Sequence, residues 1–132
     1  MTDPIPSAAL HDRMGITIIE ATEGRVVGTM PVEGNTQPHG LLHGGASCVL
    51  AESLGSVGAS IHAAPLGRIA VGVDINATHH RGVRSGQVTG VATPVHLGRS
   101  MTSHEVVLTD DQGRRTCTVR LTCALLDANA AG

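Results

Sequence analysis

A chain of 132 residues carries a formal net charge of −2 and contains no Phe, Tyr or Trp. That length fits one domain, so residues 1–132 are expected to fold as a single unit with one core. With no basic stripe and no aromatic to stack on a base, a nucleic-acid partner is not expected, and no apolar run approaches the roughly 20 residues of a membrane span.

The core has to be assembled from Val, Ile, Leu, Met and many Ala. Small side chains bury little area each, at roughly 25 cal/mol per Å² of apolar surface, so association with further copies is favoured. Met1–Pro6 is polar and lacks the apolar stretch of a signal peptide. Cys48, Cys117 and Cys123 are odd in number and form no C-x-x-C. They read as buried, reduced thiols of a cytoplasmic protein.

Ser7–Met14 predicts a short helix stopped by Gly15. Ile16–Ala21 and Arg25–Val32 predict two strands joined by a turn at Glu23-Gly24. A loop rich in Gly, Pro and His follows over Glu33–Leu42. His43–Ser60 is the one long helical stretch, with Val49, Leu50, Leu54, Val57 and Ile61 near the helical period. Gly55 and Gly58 weaken it by about 1 kcal/mol each relative to Ala, which suggests that another backbone packs closely there. Arg68–His80, Gln87–His96, Thr102–Thr109 and Arg115–Leu126 predict four more strands. A hairpin turn is expected at Asp110-Asp111-Gln112-Gly113, and Asp127–Gly132 reads as a frayed tail. Two strands, one helix and four strands without further helices describe an α+β fold, an antiparallel sheet with a single helix on one face.

The chemistry concentrates between Gln37 and Ser56. Gly44 and Gly45 open the long helix, where unpaired N–H groups and the positive dipole end can stabilise an anion such as the oxyanion of acyl transfer. Glu52 and Ser56 share one face with Cys48. A carboxylate among Val49, Leu50, Ala51 and Leu54 is expected to be poorly solvated and, if ionised, to attack a carbonyl or deprotonate a water. Gln37 and His43 can donate to a carbonyl oxygen. The pattern alone leaves plainer readings open: Glu52 on a solvated face, and Gly44-Gly45 as a simple turn. His39 and His43 have the spacing of a metal pair but no third ligand at clear spacing, so no metal is expected. No G-x-S-x-G surrounds Ser47, Ser53, Ser56 or Ser60.

The stretch QPHGLLHGGASCVLAESLGS resembles the signature of the hotdog thioesterases, in their PaaI-like branch. The likeness continues through VGVDINATHHRG, PVHLGRS and RLTCALL, and so covers about Ile16 to Leu126. Within the branch it is most similar to the bacterial 1,4-dihydroxy-2-naphthoyl-CoA thioesterases of menaquinone synthesis and the enterobactin-pathway proofreading thioesterases. The resemblance implies an antiparallel sheet wrapped around a central helix, in a dimer usually paired into a homotetramer with sites at the subunit interface. It implies a catalytic carboxylate at Glu52, nucleophile or general base, working across the interface with carbonyl-polarising groups at Gln37 and His43 from the partner subunit, an oxyanion donor at the Gly44 N–H, and a helical hydroxyl at Ser56 that places the acyl group or water. It also implies a substrate channel lined by Gly72, by His79, Arg81 and Gly82, and by His96, Leu97, Gly98, Arg99 and Ser100. Arg81 and Arg99 are then favoured over Arg84 as phosphate partners. One extra residue in Ala63–Gly67 leaves His80 as an alternative to His79.

The implied activity is hydrolysis of an aromatic acyl-CoA of hydroxynaphthoyl or hydroxybenzoyl type, with CoA as part of the substrate and no separate cofactor. Phenylacetyl or short aliphatic thioesters, aryl carrier-protein proofreading, a hotdog hydratase and a non-catalytic acyl-CoA-binding protein are the rivals.

Overall fold

The computed structural model describes residues 8–129. In chain order it contains α1 (Ala9–Met14), β1 (Thr17–Thr22), β2 (Arg25–Pro31), α2 (Gly44–Ala63), β3 (Arg68–His79), β4 (Gln87–Leu97), β5 (Met101–Thr109) and β6 (Arg115–Asp127). A short 3-10 turn over Ala64–Leu66, which the sequence reading left within a loop, joins α2 to β3. The strands form one antiparallel six-stranded sheet in the order β1-β2-β4-β5-β6-β3. The 20-residue α2 touches all six strands, so the sheet wraps it.

Alternation decides which side chains meet the helix. On β5 these are Thr102, His104, Val106 and Leu108, and on β6 Cys117, Val119, Leu121, Cys123 and Leu125, all buried. From α2 come Leu50, Ala51, Leu54, Ala59 and Ala63, completely buried. Leu54 extends over Gly28 and Gly90, which face each other across β2 and β4. A Cβ on either glycine would lie 2.6 or 2.7 Å from a Leu54 methyl carbon, so these two positions set how closely the helix approaches the sheet.

Gly55 and Gly58 correct an expectation, because side chains rather than a second backbone fill the space beside them. A Cβ at Gly55 would lie 2.7 Å from Leu121 Cδ2, and one at Gly58 would lie 2.8 Å from His104 Nε2. The tail also differs. Asp127 still pairs with Arg68 in the β3–β6 ladder, and its carboxylate lies 3.8 Å from Arg68 Nε. Ser7 of the expected first helix, Met1–Pro6 and Ala130–Gly132 of the expected tail lie outside the described residues.

His104 is 1% exposed, and neither ring nitrogen has a hydrogen-bond partner among the described residues. Burial, and secondarily His62, hold its pKa below the ordinary 6.5. The unfolded chain therefore binds this proton more readily than the folded one, and stability falls as pH drops below about 6.5. The contribution of His104 to the thermal midpoint is expected to decline between about pH 7 and about pH 5. A His104→Leu variant should show a shallower decline in the same thermal scans, since it removes both the titration and the two unpaired nitrogens.

Among the described residues, no helix is long and apolar enough to cross a membrane.

Candidate functional site

The loop after β2 is pinned by Asn35, which is buried. Its side-chain NH₂ donates to the carbonyls of Met14 and Pro31, both at 2.8 Å, and its backbone carbonyl accepts from His43 N–H at 2.8 Å. A tight turn then presents Gln37: its N–H donates to Leu41 O at 2.8 Å, and Gly40 N–H donates to Gln37 O at 3.0 Å with Gly40 at φ +80°. The Gln37 side-chain oxygen accepts from His39 N–H. With that oxygen engaged, its NH₂ group is the end left to donate to a ligand.

His43 is the N-cap of α2. Its Nδ1 accepts from Gly45 N–H at 2.8 Å, so Nδ1 carries no proton in that contact and Nε2–H becomes a donor on an exposed ring. A Cβ at Gly45 would lie 2.9 Å from the His43 ring, so glycine is what lets the ring cap its own helix.

Beside this helix start lies a cavity of about 370 Å³. Leu41, Leu42 and Val83 supply its apolar wall, and Gln37, Gly44, Ser47, His79, His80 and Arg81 supply polar groups, with Gly82 and Thr116 completing the lining. His79 sits against the first turn of α2, where a Cβ on Gly44 would meet its Nε2 at 3.0 Å. His80 also reaches the cavity, but its Nε2 is engaged with Thr118 Oγ1 at 2.9 Å. His79 is therefore the ring that faces the helix N-terminus. Ser47, 4% exposed, is a lining residue that the sequence reading missed. Its spacing of three from Gly44 would have placed it on the same helical face. Arg84 instead reaches back toward His39 O at 3.5 Å.

Glu52 does not line this cavity. It lies eight residues beyond Gly44, about 12 Å along a helix. The expectation of a poorly solvated carboxylate is corrected for the single chain, because Glu52 is exposed. It makes no hydrogen bond or ion pair among the described residues. Its Oε2 occupies the space beside Gly72, where a Cβ would lie 2.6 Å away. One turn further on lies the half-buried Ser56, whose hydroxyl favours the Cys123 thiolate against the larger effect of burial.

The nearby thiols are poor competitors for a nucleophilic role. Burial pushes Cys48 and Cys123 upward in pKa, with Glu52 adding to both shifts, and burial pushes Cys117 up to about 11. All three stay protonated at neutral pH, and a thiol is far less nucleophilic than a thiolate. Among the described residues, no three His, Cys, Asp or Glu side chains are grouped as a metal site needs.

His96 and Leu97 end β4 and Gly98–Ser100 forms the β4–β5 turn, at the other end of β3 from His79. Arg68, the first residue of β3, donates from Nη1 to Arg99 O at 2.7 Å. The twelve residues from Arg68 to His79 span about 36 Å when extended. The predicted residues thus fall into three groups within one chain: Gln37, Gly44, His79, Arg81 and Gly82 at the cavity, with His43 next to Gly44 as the cap of α2; Glu52, Ser56 and Gly72 near mid-helix; and His96–Ser100 at the far end.

Comparisons with known proteins agree with this architecture. The profile of the thioesterase superfamily matches residues 39–117. The proofreading thioesterase EntH of Cronobacter sakazakii is 48% identical over 118 residues, covering 89% of this chain and 80% of EntH. A thioesterase of Pseudomonas aeruginosa, solved as a glutamine-to-alanine mutant, is 42% identical with a TM-score of 0.85, covering 89% of this chain and 85% of that one. A Staphylococcus aureus thioesterase has been solved as a glutamine-to-alanine mutant (30% identity, TM-score 0.86, covering 90% and 99%). It has also been solved as a glutamate-to-alanine mutant (32% identity, TM-score 0.84, covering 88% and 97%). On these grounds the chain belongs to the thioesterase superfamily, as a hotdog-fold thioester hydrolase.

Proposed function

We propose that this protein hydrolyses an aromatic acyl-CoA, of hydroxybenzoyl or hydroxynaphthoyl type, at a site assembled from two copies of the chain. The observation that carries the reading is the convergence of the Gln37 amide, the Gly44 helix start and His79 on one cavity that holds no carboxylate. The nearby carboxylate, Glu52, stands exposed on the same helix. Its volume of about 370 Å³ falls in the range of about 300–1,000 Å³ usual for small-molecule pockets. Its Leu41, Leu42 and Val83 wall suits a planar apolar acyl group, and its Ser47 and His80 suit a ring hydroxyl.

Strand β3 is the natural joint. It is an edge strand whose Ile69, Val71, Val73 and Ile75 are 37–60% exposed, an arrangement prone to pair with another chain. Antiparallel pairing of two β3 strands about a two-fold axis sets the His79 end of one beside the Arg68 end of the other. That would bring Glu52 of the partner subunit toward Gln37, Gly44 and His79, and the partner's Arg99 turn toward the same channel. Two such dimers pairing would give a tetramer. The S. aureus mutants add support, since that chain's altered glutamine and glutamate lie fifteen positions apart, the same interval as Gln37 to Glu52.

In this site the Gln37 NH₂, His43 Nε2–H and Gly44 N–H polarise the thioester carbonyl. Glu52 of the partner subunit takes a proton from water as the oxygen attacks the carbonyl carbon, or attacks that carbon itself to give a mixed anhydride that water then opens. The C–S bond breaks, the CoA thiolate leaves and the acyl group departs as the free acid. Arg81 and Arg99 take the CoA phosphates. No step calls for a metal or redox group, and CoA is part of the substrate.

Steady-state thiol release over hydroxynaphthoyl-, hydroxybenzoyl-, phenylacetyl- and short aliphatic-CoA thioesters tests the substrate. The aromatic hydroxyacyl thioesters are expected to give the highest kcat/KM, and a clear aliphatic preference would overturn that part. Similarity to a proofreading thioesterase favours a second reading, release of misloaded aryl groups from a carrier protein, which the same assay with aryl carrier-protein thioesters would reveal.

A further inference from the structure

The β4–β5 turn is held from behind by two side chains that belong to neither strand. His62, in the last turn of α2, places Nε2 2.7 Å from Gly98 O and Nδ1 3.2 Å from Glu23 Oε2, in the β1–β2 turn. Both partners are acceptors without a proton of their own, so only the imidazolium, with two N–H groups, satisfies both contacts. Arg68 donates to the next carbonyl, Arg99 O, at 2.7 Å and is itself paired with Asp127. Two consecutive carbonyls of one turn are therefore each held by a cationic side chain.

The peptides here are trans, so each carbonyl points opposite to the N–H of the following residue. Arg99 N–H and Ser100 N–H thus face away from His62 and Arg68, and neither has a hydrogen-bond partner among the described residues. Successive free backbone N–H groups of this kind form a concavity for anions. Gly98 is needed for the shape: its N–H closes the turn on Met101 O at 2.9 Å, and a Cβ there would lie 2.6 Å from His96 Nε2 and 2.8 Å from Met101 O.

We infer that His62 and Arg68 are positioning residues for the nucleotide end of the substrate, holding the Gly98–Ser100 turn so that its free N–H groups face a phosphate. This rests on the reading above in which the turn meets the CoA nucleotide. It also makes nucleotide recognition sensitive to pH. The charged and titratable groups that face His62 are Glu23 from the β1–β2 turn and His104 from β5. The bond to Gly98 O raises the His62 pKa above its ordinary 6.5; burial, next in size, opposes it, and Glu23 adds to the rise. The tether is complete below that raised pKa and loses a contact as pH climbs through it.

The test compares a hydroxybenzoyl-CoA thioester with the N-acetylcysteamine thioester of the same acyl group, which lacks the nucleotide. His62→Ala and Arg68→Ala are each expected to raise KM for the CoA thioester about tenfold, the scale of one charge-assisted hydrogen bond. kcat, and kcat/KM for the truncated thioester, should stay near wild-type. His62→Gln keeps one donor for Gly98 O and cannot gain the charge, so its KM should lose the rise with increasing pH that is expected of the wild type. Equal losses on both thioesters, or a wild-type KM profile in His62→Gln, would overturn the inference. Arg99→Ala separates this from the underlying reading. If Arg99→Ala raises KM while the His62 and Arg68 variants do not, only the inference falls. If Arg99→Ala also leaves KM unchanged, the phosphate role of the turn fails and takes the inference with it.

Discussion

Replacing Glu52 with alanine is expected to slow thioester hydrolysis by on the order of a thousandfold, the usual contribution of a positioned acid–base group, while leaving the fold intact. The second half follows from the structure of the single chain. Glu52 is exposed and makes no hydrogen bond or ion pair among the described residues that alanine would forfeit, and substitutions of that kind change stability by roughly 0.5 kcal/mol or less. The first half follows from the absence of a substitute nearby. Cys48 and Cys123 are the thiols whose pKa Glu52 raises, and they are protonated at neutral pH. Their pKa should fall when the carboxylate is removed, yet burial, the larger cause, remains. Glu52→Gln keeps the shape without the basicity and should be as inactive as alanine. A single turnover of the wild type in ¹⁸O-labelled water separates the two routes. Attack by Glu52 itself can deliver an unlabelled oxygen from its carboxylate to the first product, whereas a base-activated water always delivers label. Thiol release by Glu52→Ala at near wild-type rates, with an unchanged thermal midpoint, would remove Glu52 from the mechanism.

The elements were legible because periodicity is a local property. Ile69, Val71, Val73 and Ile75 alternate, and alternation gave β3 within one residue of its observed end. The same two-residue period also resolves His79 from His80: Ala77 and His79 stand opposite Val119 and Cys117, residues of β6 that face the helix. Packing was less legible. That Gly28 and Gly90 form a pair beneath Leu54 depends on the β2–β4 register, which no local pattern encodes. Gly55 and Gly58 carried a correct signal of close approach, but the approaching groups, Leu121 and His104, come from strands far along the chain. From the residue pattern alone the site was legible as residue types and not as one place; only the family resemblance set Glu52 across a subunit interface from Gln37 and His43. Gln37, Gly44 and Glu52 were named together, yet a rigid helix separates Glu52 from the cavity in its own chain. His62 escaped notice because its partners, Glu23 and Gly98, lie 39 and 36 residues away in sequence.

That separation leads to the sharpest test of the shared site. Subunits carrying Glu52→Ala and subunits carrying Gln37→Ala should each be nearly inactive alone. If a site takes its carboxylate from one chain and its amide from the other, a mixed dimer contains one site with both groups intact and one with both removed. Heterodimers purified through two different affinity tags are then expected to show about half the wild-type activity, and a random mixture about a quarter. A site contained within one chain gives no recovery in either case, since every site would lack one group. Val73→Lys supplies the complementary perturbation. Val73 is 60% exposed and falls at the irregularity between Gly72 and Asp74, where β3 has no register partner on β6, so lysine is tolerated by the single chain yet blocks edge pairing. That variant should run as a folded monomer on size-exclusion chromatography with light scattering, and it should lose activity although Gln37, His43, Gly44 and Glu52 are all present. A monomer with wild-type turnover, or a mixed dimer without recovery, would return the reaction to a single chain. Glu52 would then need a large displacement of α2 to reach the cavity, which the burial of Leu50, Ala51 and Leu54 on its opposite face resists.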